Sequence, residues 1–338
     1  MFRQETVSGV YAILLLLCPM VSAMAEQSDE TALHQHRSQH AYNSVFGLPA
    51  VAARPVQTRE WQIAVEHSNQ FMGGIEGDER LLLDGETTEL TFRHRQRVAA
   101  CWQGELVVPF IQHGEGEFDR VIDDWHQIFG LPDAERNLFP FFQLDYLYAD
   151  QDGERASVNS PQSGLGDIQI SLQRSLGCLA TADATGREPI ARIGIKLPTG
   201  EVDELRGSGR VDVYADLQSP VWVPGSRWRT GAAIGVLAVG QTNRLAPQRS
   251  LVAYGSFGVQ FVLTKRFRLL SQIDWHTPFY VSELTELGEP AVGLSVGVRY
   301  LGPADQSIEL TVSEDAAIDT TPDIVARLAW VYRPFGGF

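Results

Sequence analysis

The sequence predicts an all-β fold: an antiparallel transmembrane β-barrel of about 12–14 strands, with one short amphipathic helix in a loop. Three observations lead to this fold class. The chain starts with the pattern of an export signal, and its apolar and polar residues alternate with a period of two from Arg59 onward. Its 338 residues also include 31 Gly and 17 Pro, which suit tight turns between many strands.

The first element is the export signal. Arg3 precedes an apolar run over residues 10–21, and a triplet of small and apolar residues at 23–25 stands directly before Glu26. This pattern is typical of a secretory signal peptide, and its apolar core is too short to span a bilayer comfortably as a helix. We therefore expect residues 1–25 to be a cleaved signal peptide and the rest of the chain to be exported.

Residues 26–58 form an irregular polar leader that contains His34, His36 and His40. A local group of imidazoles is compatible with a metal-binding tail. The alternative is a solvated connection between the signal and the first strand. We expect the solvated connection, because no cysteine or carboxylate stands beside the histidines to complete a metal site.

Residues 59–338 are the predicted β-barrel. Several of their alternating runs approach the 9–11 residues that a membrane-spanning strand needs, with an apolar face for lipid and a polar face for the lumen. A closed barrel leaves no unpaired strand edge in lipid, which an open sheet could not avoid. The clearest runs are residues 61–66, 167–173, 210–218, 267–276 and 292–300.

The number of strands depends on one hairpin. Short turns at residues 99–100 and 264–265 are expected at the periplasmic end, where barrel turns are short. A further hairpin at residues 150–153 keeps both chain ends on that side and favours the higher strand count. In this arrangement Cys101 and Cys178 both lie on periplasmic turns, so a disulfide between them stays open as a possibility.

One segment has a helical rather than a strand period. Phe118, Val121, Ile122, Trp125 and Phe129 recur at intervals of three and four residues within residues 117–130. Gly130 and a proline two residues later end the pattern. An amphipathic helix in a barrel loop can fold into the lumen as a constriction or can cover exposed apolar surface, and the sequence leaves both open.

The last strand resembles the C-terminal signal of outer-membrane barrels. Alternate residues from Ile324 to Tyr332 form one apolar face, and the chain ends at Phe338. Such barrels commonly finish with an amphipathic strand and a terminal aromatic residue that the assembly machinery reads. The resemblance implies the barrel-assembly machinery as a partner and the outer membrane, with its lipid, as the location.

Several short motifs occur together in one family. They are Phe-Gly-Leu-Pro at residues 46–49, the helical segment at 123–132, Ser-Gly-Leu-Gly-Asp at 163–167, Lys-Leu-Pro-Thr-Gly at 196–200, and Ser-Glu-Asp at 313–315 followed by Pro-Asp at 322–323. In this combination the chain resembles a gammaproteobacterial family of unknown function (domain of unknown function 3187). The resemblance implies an exported barrel but supplies no catalytic residue and no substrate. Two of the pieces also occur in barrels associated with the uptake of aromatic compounds.

The most informative polar cluster is Arg93, Arg95 and Arg97, which share one face of a strand. Arginine facing lipid at mid-bilayer would cost about 2–4 kcal/mol, so these side chains are expected in the lumen or near an interface. One interpretation is a cationic ladder that attracts anionic solutes. The other, which we favour, is ion pairing with inward acids of nearby strands. The predicted lumen residues are Arg93, Arg95, Arg97, Glu66, Glu105, Asp145, Asp212, Asp216, Asp274 and Arg299.

These features predict a channel or a facilitated-uptake route for a small solute. A non-conducting structural or lipid-interacting barrel is the alternative, and an outer-membrane lipid-modifying enzyme is a further one. Serine and histidine lie near each other at residues 67–68 and at Ser271 and His276, but no orienting carboxylate accompanies them in the sequence. We therefore expect no catalytic residue, no cofactor and no metal. The net charge of −15 argues against a nucleic-acid partner.

Overall fold

The computed structural model describes residues 33–51, 58–116, 142–177, 188–222, 226–315, 320–322 and 324–334. The chain divides into two units, Met1–Glu30 and Thr31–Phe338, and all described residues belong to the second. The predicted signal peptide, the predicted helix at residues 117–130, Cys178 and Phe338 lie outside the described residues.

The described residues form fifteen strands. They are β1 (Arg59–Glu76), β2 (Glu79–Ala99), β3 (Trp102–Gly114), β4 (Asp145–Asp150), β5 (Gly153–Val158), β6 (Gln162–Leu165), β7 (Gln169–Ser175), β8 (Ile190–Lys196), β9 (Asp212–Trp222), β10 (Trp228–Ala238), β11 (Leu251–Val262), β12 (Phe267–His276), β13 (Ala291–Leu301), β14 (Gln306–Asp315) and β15 (Ile324–Tyr332).

Twelve of these strands close into an antiparallel ring. From β7 to β15 each strand pairs with the next along the chain, β15 pairs with β1, and β1 pairs with β2. The ring closes because β3 pairs with β2 on one side and with β7 on the other. The prediction of an all-β transmembrane-type barrel is confirmed, with the lower of the expected strand counts.

The hairpin predicted at residues 150–153 exists but does not enter the ring. It joins β4 to β5, which pair with each other, and β4 also pairs with the first residues of β2, from Arg80 to Asp84. Both strands are six residues long, too short to cross a bilayer. They extend the wall beyond the ring, and so the preference for the higher count was wrong.

The two ends of the ring differ in the length of their connections. The end that holds Arg59 and Tyr332, called the terminal end below, has short turns at residues 100–101, 263–266 and 302–305, a short connection at residues 223–227 and one longer connection at residues 176–189. The opposite end, called the loop end, carries the segments 197–211, 239–250 and 277–290 and the hairpin of β4 and β5. Short turns on one side and long loops on the other are typical of outer-membrane barrels, with the short turns in the periplasm.

The burial pattern of the ring is inverted relative to a water-soluble protein. Outward-facing aliphatic and aromatic side chains are exposed, whereas inward-facing polar and charged side chains are buried. Exposed outward residues include Ile193, Leu217, Ile234, Phe257 and Leu328. Buried inward residues include Gln173, Lys196, Gln218, Gln260 and Gln272. This inversion is expected of strands that face lipid on one side and a polar lumen on the other.

Several aromatic residues lie at the terminal end. Trp61 lies near the beginning of β1, Trp102 opens β3, and Trp330 lies near the end of β15. Phe267 and Tyr300 pack together there with ring centroids 5.2 Å apart. Such a belt of aromatic rings fits the membrane–water boundary.

The loop end carries a separate apolar cluster and the short helices. The helices are α1 (Ala41–Ser44), α2 (Thr285–Gly288) and a 3-10 turn at Val202–Glu204. The cluster joins residues of the leader to Tyr146, Tyr254 and Phe279, all of which are almost completely buried. Within the described parts of the chain, none of the helices has the length and apolar character needed to cross a membrane.

Candidate functional site: the leader inside the lumen

Residues 33–51, called the leader segment below, lie inside the barrel. The expectation of a solvated connection was wrong, because the side chains of Leu33, His34 and His40 have no exposed surface. The segment runs from the ring interior to the loop end, turns at α1, and returns. Leu33 and Val51 therefore lie in one small apolar cluster with Ala233 of β10.

The outgoing limb binds the wall through side chains. His34 donates its backbone N–H to Oε1 of Gln272 over 2.8 Å, and its Nδ1 lies 2.8 Å from Oε1 of Glu309. Arg37 donates to the backbone oxygen of Gly255 over 3.0 Å and to the hydroxyl of Ser256 over 2.8 Å. These contacts fix polar groups of the limb against three different strands of the ring.

The apex of the leader segment is apolar and packs into the cluster at the loop end. The ring of Tyr42 lies 5.5 Å from that of Tyr148 and 5.1 Å from that of Tyr280, measured between centroids. Phe46 stacks on Phe279 at 4.7 Å. The hydroxyl of Tyr42 accepts a hydrogen bond from the N–H of Ala246 over 3.1 Å. Burial raises the pKa of Tyr42, so its hydroxyl stays neutral in this environment.

The return limb begins at Gly47 and passes close to the wall. Gly47 has a φ of +55°, and a Cβ at this position would lie 2.8 Å from atoms of Gln169 and Lys196. Further along, the backbone oxygen of Ala50 accepts from Nη1 of Arg192 over 2.8 Å. The limb therefore approaches β7 and β8 more closely than a larger residue at position 47 would allow.

The wall around the leader segment is a network of buried ion pairs. Each pair joins groups that are distant in sequence, so the network ties neighbouring strands together. From the terminal end to the loop end the pairs are Arg95–Glu60, Arg333–Glu60 (2.6 Å), Arg299–Glu309 (2.5 Å), Arg192–Asp216 (2.6 Å), Lys196–Asp212 (3.0 Å) and Lys196–Asp167. Breaking one partner of such a pair would leave a buried charge and would be costly.

All but two of the predicted lumen residues face the interior. Those inside are Glu66, Arg93, Arg95, Glu105, Asp212, Asp216, Asp274 and Arg299. Asp274 accepts a hydrogen bond from Ser256 and lies 3.6 Å from Nη1 of Arg37, so it serves the leader segment as well as the wall.

Arg97 and Asp145 lie elsewhere. Arg97 is exposed beside the turn that follows β2, where it donates to the backbone oxygen of Ala100 over 2.7 Å. Asp145 belongs to β4, where it lies opposite Asp84 of β2. Its side chain points to the other face of the strand from its neighbour Tyr146, which is buried. Alternation indicates which face a residue occupies, but it indicates neither its depth nor whether its strand belongs to the ring.

The histidines and the cysteine of the sequence analysis have distinct surroundings. His34 contacts Glu309, His36 lies 2.7 Å from Glu66, and His40 accepts from the N–H of Asn43, so the three imidazoles do not converge. The described part of the chain contains no group of three or more His, Cys, Asp or Glu that could hold a metal ion. Cys101 is disulfide-bonded; its pairing with Cys178 stays a prediction, because residue 178 is not among the described ones.

The two serine–histidine neighbourhoods do not form catalytic pairs. His67 and Ser68 are adjacent on β1, and Ser271 and His276 are five residues apart on β12. Side chains separated by an odd number of strand positions point to opposite faces. In both cases the hydroxyl and the imidazole therefore lie on different sides of the barrel wall.

Comparison with known proteins supports the fold. A family model described as "Protein of unknown function (DUF3187)" matches residues 10–333. The structure is similar to the crystal structure of the COG4313 outer membrane channel from Pseudomonas putida F1, with a TM-score of 0.53 and 10% identity, over 82% of this chain and 96% of that chain. No curated protein matches the sequence.

Two further solved structures are more distant. The P. putida toluene transporter TodX has a TM-score of 0.42 and 10% identity, over 90% of this chain and 98% of that chain. The NanC porin has a TM-score of 0.44 and 8% identity, over 80% of this chain and 98% of that chain.

Proposed function

The chain belongs to the DUF3187 family of proteins of unknown function, and we propose that it is an outer-membrane channel for a small solute whose lumen is closed, in this conformation, by its own leader segment. The observation that carries the proposal is the position of residues 33–51. They lie inside a twelve-stranded ring without being one of its strands.

The outer surface supports a membrane location. Its exposed aliphatic band and the aromatic side chains at the terminal end match a barrel that spans a lipid bilayer. The short turns at the terminal end support an orientation with that end in the periplasm. The leader segment would then lie inside the barrel and extend from the side nearer the periplasm to the loop end.

The contacts of the leader segment support a plug that can leave. Between described residues its backbone-to-backbone hydrogen bonds are local, as in those from Asn43 and Ser44 to His40. It is attached to the ring by the apolar apex and by individual side-chain contacts, each worth about 0.5–1.5 kcal/mol, or about 1.5–3 kcal/mol where a charged group takes part. Its release would break no strand pairing of the ring, so the barrel could remain closed as a cylinder while its lumen opens.

The same plug is the observation that favours the alternative, a non-conducting structural barrel. In that case the leader segment would be a permanent part of the interior. The proposal includes no enzymatic activity. The two functions differ in one measurable property, which is whether immobilising the leader segment changes conductance.

A reversible tether tests the proposal. A Cβ at position 231 would lie 2.9 Å from Cγ of Leu33, close enough for a disulfide between cysteines at the two positions. The double variant Leu33→Cys/Gly231→Cys should give no single-channel steps in planar bilayers when oxidised, and steps should appear after reduction. The single variant Leu33→Cys, treated in the same way, controls for reduction of other cysteines.

Two outcomes would count against the proposal in different ways. Equal conductance of the oxidised and reduced double variant would mean that the leader segment does not close the lumen. Silence of every variant, from protein whose heat-modifiable gel migration shows a folded barrel, would favour the non-conducting alternative.

A further inference from the structure

A cavity of about 110 Å³ lies between the leader segment and a wall to which β1, β2, β3, β7 and β15 contribute. It has room for several water-sized molecules and hence for a solute of a few heavy atoms. Its lining includes His36 from the leader segment and Glu66, Arg93 and Arg327 from the wall.

Among the buried polar atoms that line this cavity, more donors than acceptors have no hydrogen-bond partner among the described residues. Among the described residues, no acceptor lies within range of Nε or Nη1 of Arg93, Nη1 of Arg327, or Nε2 of Gln39. Nε2 of His36, which is a donor or an acceptor according to the tautomer, also has no hydrogen-bond partner among the described residues. Among the buried acceptors of the described lining residues, Oε1 of Gln35 alone has no partner. Buried donors of this kind are costly unless an acceptor from outside the chain satisfies them.

Arg93 carries most of this excess. It is 6% exposed, and its nearest carboxylate is Glu105, whose Oε2 lies 4.0 Å from Nε. Glu105 is also 3.9 Å from Nε of Arg95 and 3.6 Å from Nη1 of Arg192. Those two arginines have carboxylates of their own in Glu60 and Asp216. The guanidinium of Arg93 therefore lies in the lumen without a dedicated counter-ion among the described side chains.

The carboxylates of the cavity are better satisfied than its cations. Glu66 lies 2.7 Å from Nδ1 of His36, and Glu89 accepts a hydrogen bond from Thr91 over 2.5 Å. Arg327 is 4.0 Å from Glu66 and 3.9 Å from Glu309, which is beyond hydrogen-bond distance in both cases. A ligand that brings negatively charged acceptors would therefore complete this site, whereas a cation would not.

Part of the remaining lining is apolar, beside polar side chains such as Ser68, Gln70 and Thr87. Val107 and Ile111 of β3 face the cavity from one side, and Ala41 and Leu48 of the leader segment face it from the other. An inorganic anion would leave these side chains against a hydrated ion, whereas a short aliphatic group would pack against them. The combination of a guanidinium pair with an apolar wall fits an organic anion.

We infer that this cavity binds a small organic carboxylate, with Arg93 and Arg327 donating to the carboxylate oxygens and Val107 and Ile111 contacting its aliphatic part. The inference rests on the proposed channel function, because it names the class of solute that would use the lumen. It also places the ligand in contact with both the wall and the leader segment.

Calorimetric titration of the folded protein in detergent tests the inference without requiring conduction. The probes are acetate and butyrate, with chloride, sulfate and ethylammonium for comparison. We expect saturable binding of the carboxylates, tighter for butyrate, and a loss of roughly ten- to hundredfold in affinity for Arg93→Gln, because charge-assisted hydrogen bonds are removed. Arg327→Gln should weaken binding in the same direction.

The matched control is Arg97→Gln, which makes the same charge change on the same strand but at an exposed position beside the turn. Its affinity should stay within about twofold of wild type, as expected for a surface charge. The inference is overturned if no carboxylate binds to the folded protein, if sulfate or ethylammonium binds more tightly, or if both Arg93→Gln and Arg327→Gln retain wild-type affinity. A tethered barrel that opens on reduction but binds no carboxylate would refute this inference and leave the channel function standing.

Discussion

Gly47 is a residue whose side chain is restricted by both its own backbone and its neighbours. Its φ of +55° is in the left-handed region, and the space for a Cβ is taken by Lys196, which is itself held by Asp212 and Ser208. Lys196 has no exposed surface and cannot easily move aside. The conformation of the return limb thus depends on the absence of a side chain at this position.

We predict that Gly47→Ala loosens the leader segment by about 1–3 kcal/mol, because a non-glycine residue in this conformation is strained and its Cβ would clash. The measurement is amide hydrogen exchange over residues 33–51 in the detergent-solubilised barrel. Gly104→Ala is the control, since the nearest atom to a Cβ there is 3.7 Å away and the backbone is not left-handed. Equal exchange in the two variants would contradict the role given to Gly47.

The alternation in the sequence predicted which side chains of a strand share a face, but it did not predict which side chains of neighbouring strands contact each other. The period of two identified Arg93 and Arg95 as inward residues, because a strand can present a charged row only to one side. It could not indicate that Arg95 pairs with Glu60, whereas the described side chains offer Arg93 only Glu105, which two other arginines share. That difference depends on strand register, which is fixed by turn geometry and closure of the ring rather than by the local pattern.

At the element scale, the leader segment is the feature that sequence analysis missed. Polar residues usually indicate a solvent-exposed segment, but here they are buried against an equally polar lumen. The polar composition of the segment therefore did not predict its burial. The usable signal was a group of apolar residues in an otherwise polar tail: Leu33, Tyr42, Val45, Phe46 and Leu48 are all almost completely buried. Large apolar side chains in a solvent-exposed tail would not be stabilised by burial, so this group indicates that the segment packs against something.

The docking of the leader segment is predicted to weaken in acid. Burial, and secondarily the nearby His276, lower the pKa of His40 to about 3. In a released leader this histidine would titrate near its ordinary pKa of about 6.5. Between these two pKa values only the released state binds the proton. The equilibrium constant for docking therefore falls about tenfold per pH unit as the pH falls below about 6.5.

Hydrogen exchange over residues 33–51 at pH 7.5 and pH 5, corrected for intrinsic rates, should therefore show roughly thirtyfold more opening at the lower pH. His34 and His36 lie beside Glu309 and Glu66 and are present in both proteins that are compared. The difference between wild type and His40→Gln isolates His40, and the variant should show a weaker pH dependence. A wild-type leader segment that is equally protected at both pH values would contradict this prediction.

At the scale of the whole molecule, alternation was sufficient to predict a barrel but not its size. The strands β4 and β5 alternate as ring strands do, and only their pairing with the end of β2 shows that they lie outside the ring. Ring size is a property of closure, which depends on how all strands pair at once. The sequence therefore predicted a barrel of 12–14 strands, but its preference for the higher count was wrong because the β4–β5 hairpin lies outside the ring.

The inverted burial of the barrel predicts where a charge is tolerated. Ile234 lies in the middle of β10, points outward and is 60% exposed, while Val281 is 56% exposed in the segment between β12 and β13. In water the two positions would be equivalent. If the outward face contacts lipid, Ile234→Arg should lower the free energy of unfolding in lipid vesicles by about 2–4 kcal/mol, whereas Val281→Arg should change it by less than about 0.5 kcal/mol.

The measurement is reversible urea unfolding of both variants in vesicles, followed by tryptophan fluorescence. The same pair measured in detergent micelles should show the same order with a smaller gap, because a micelle adapts its shape to a charge more easily than a bilayer does. Equal stability of the two variants in vesicles would mean that β10 does not face the hydrocarbon core. The membrane-spanning assignment of the ring, on which both the channel and its plug depend, would then have to be abandoned.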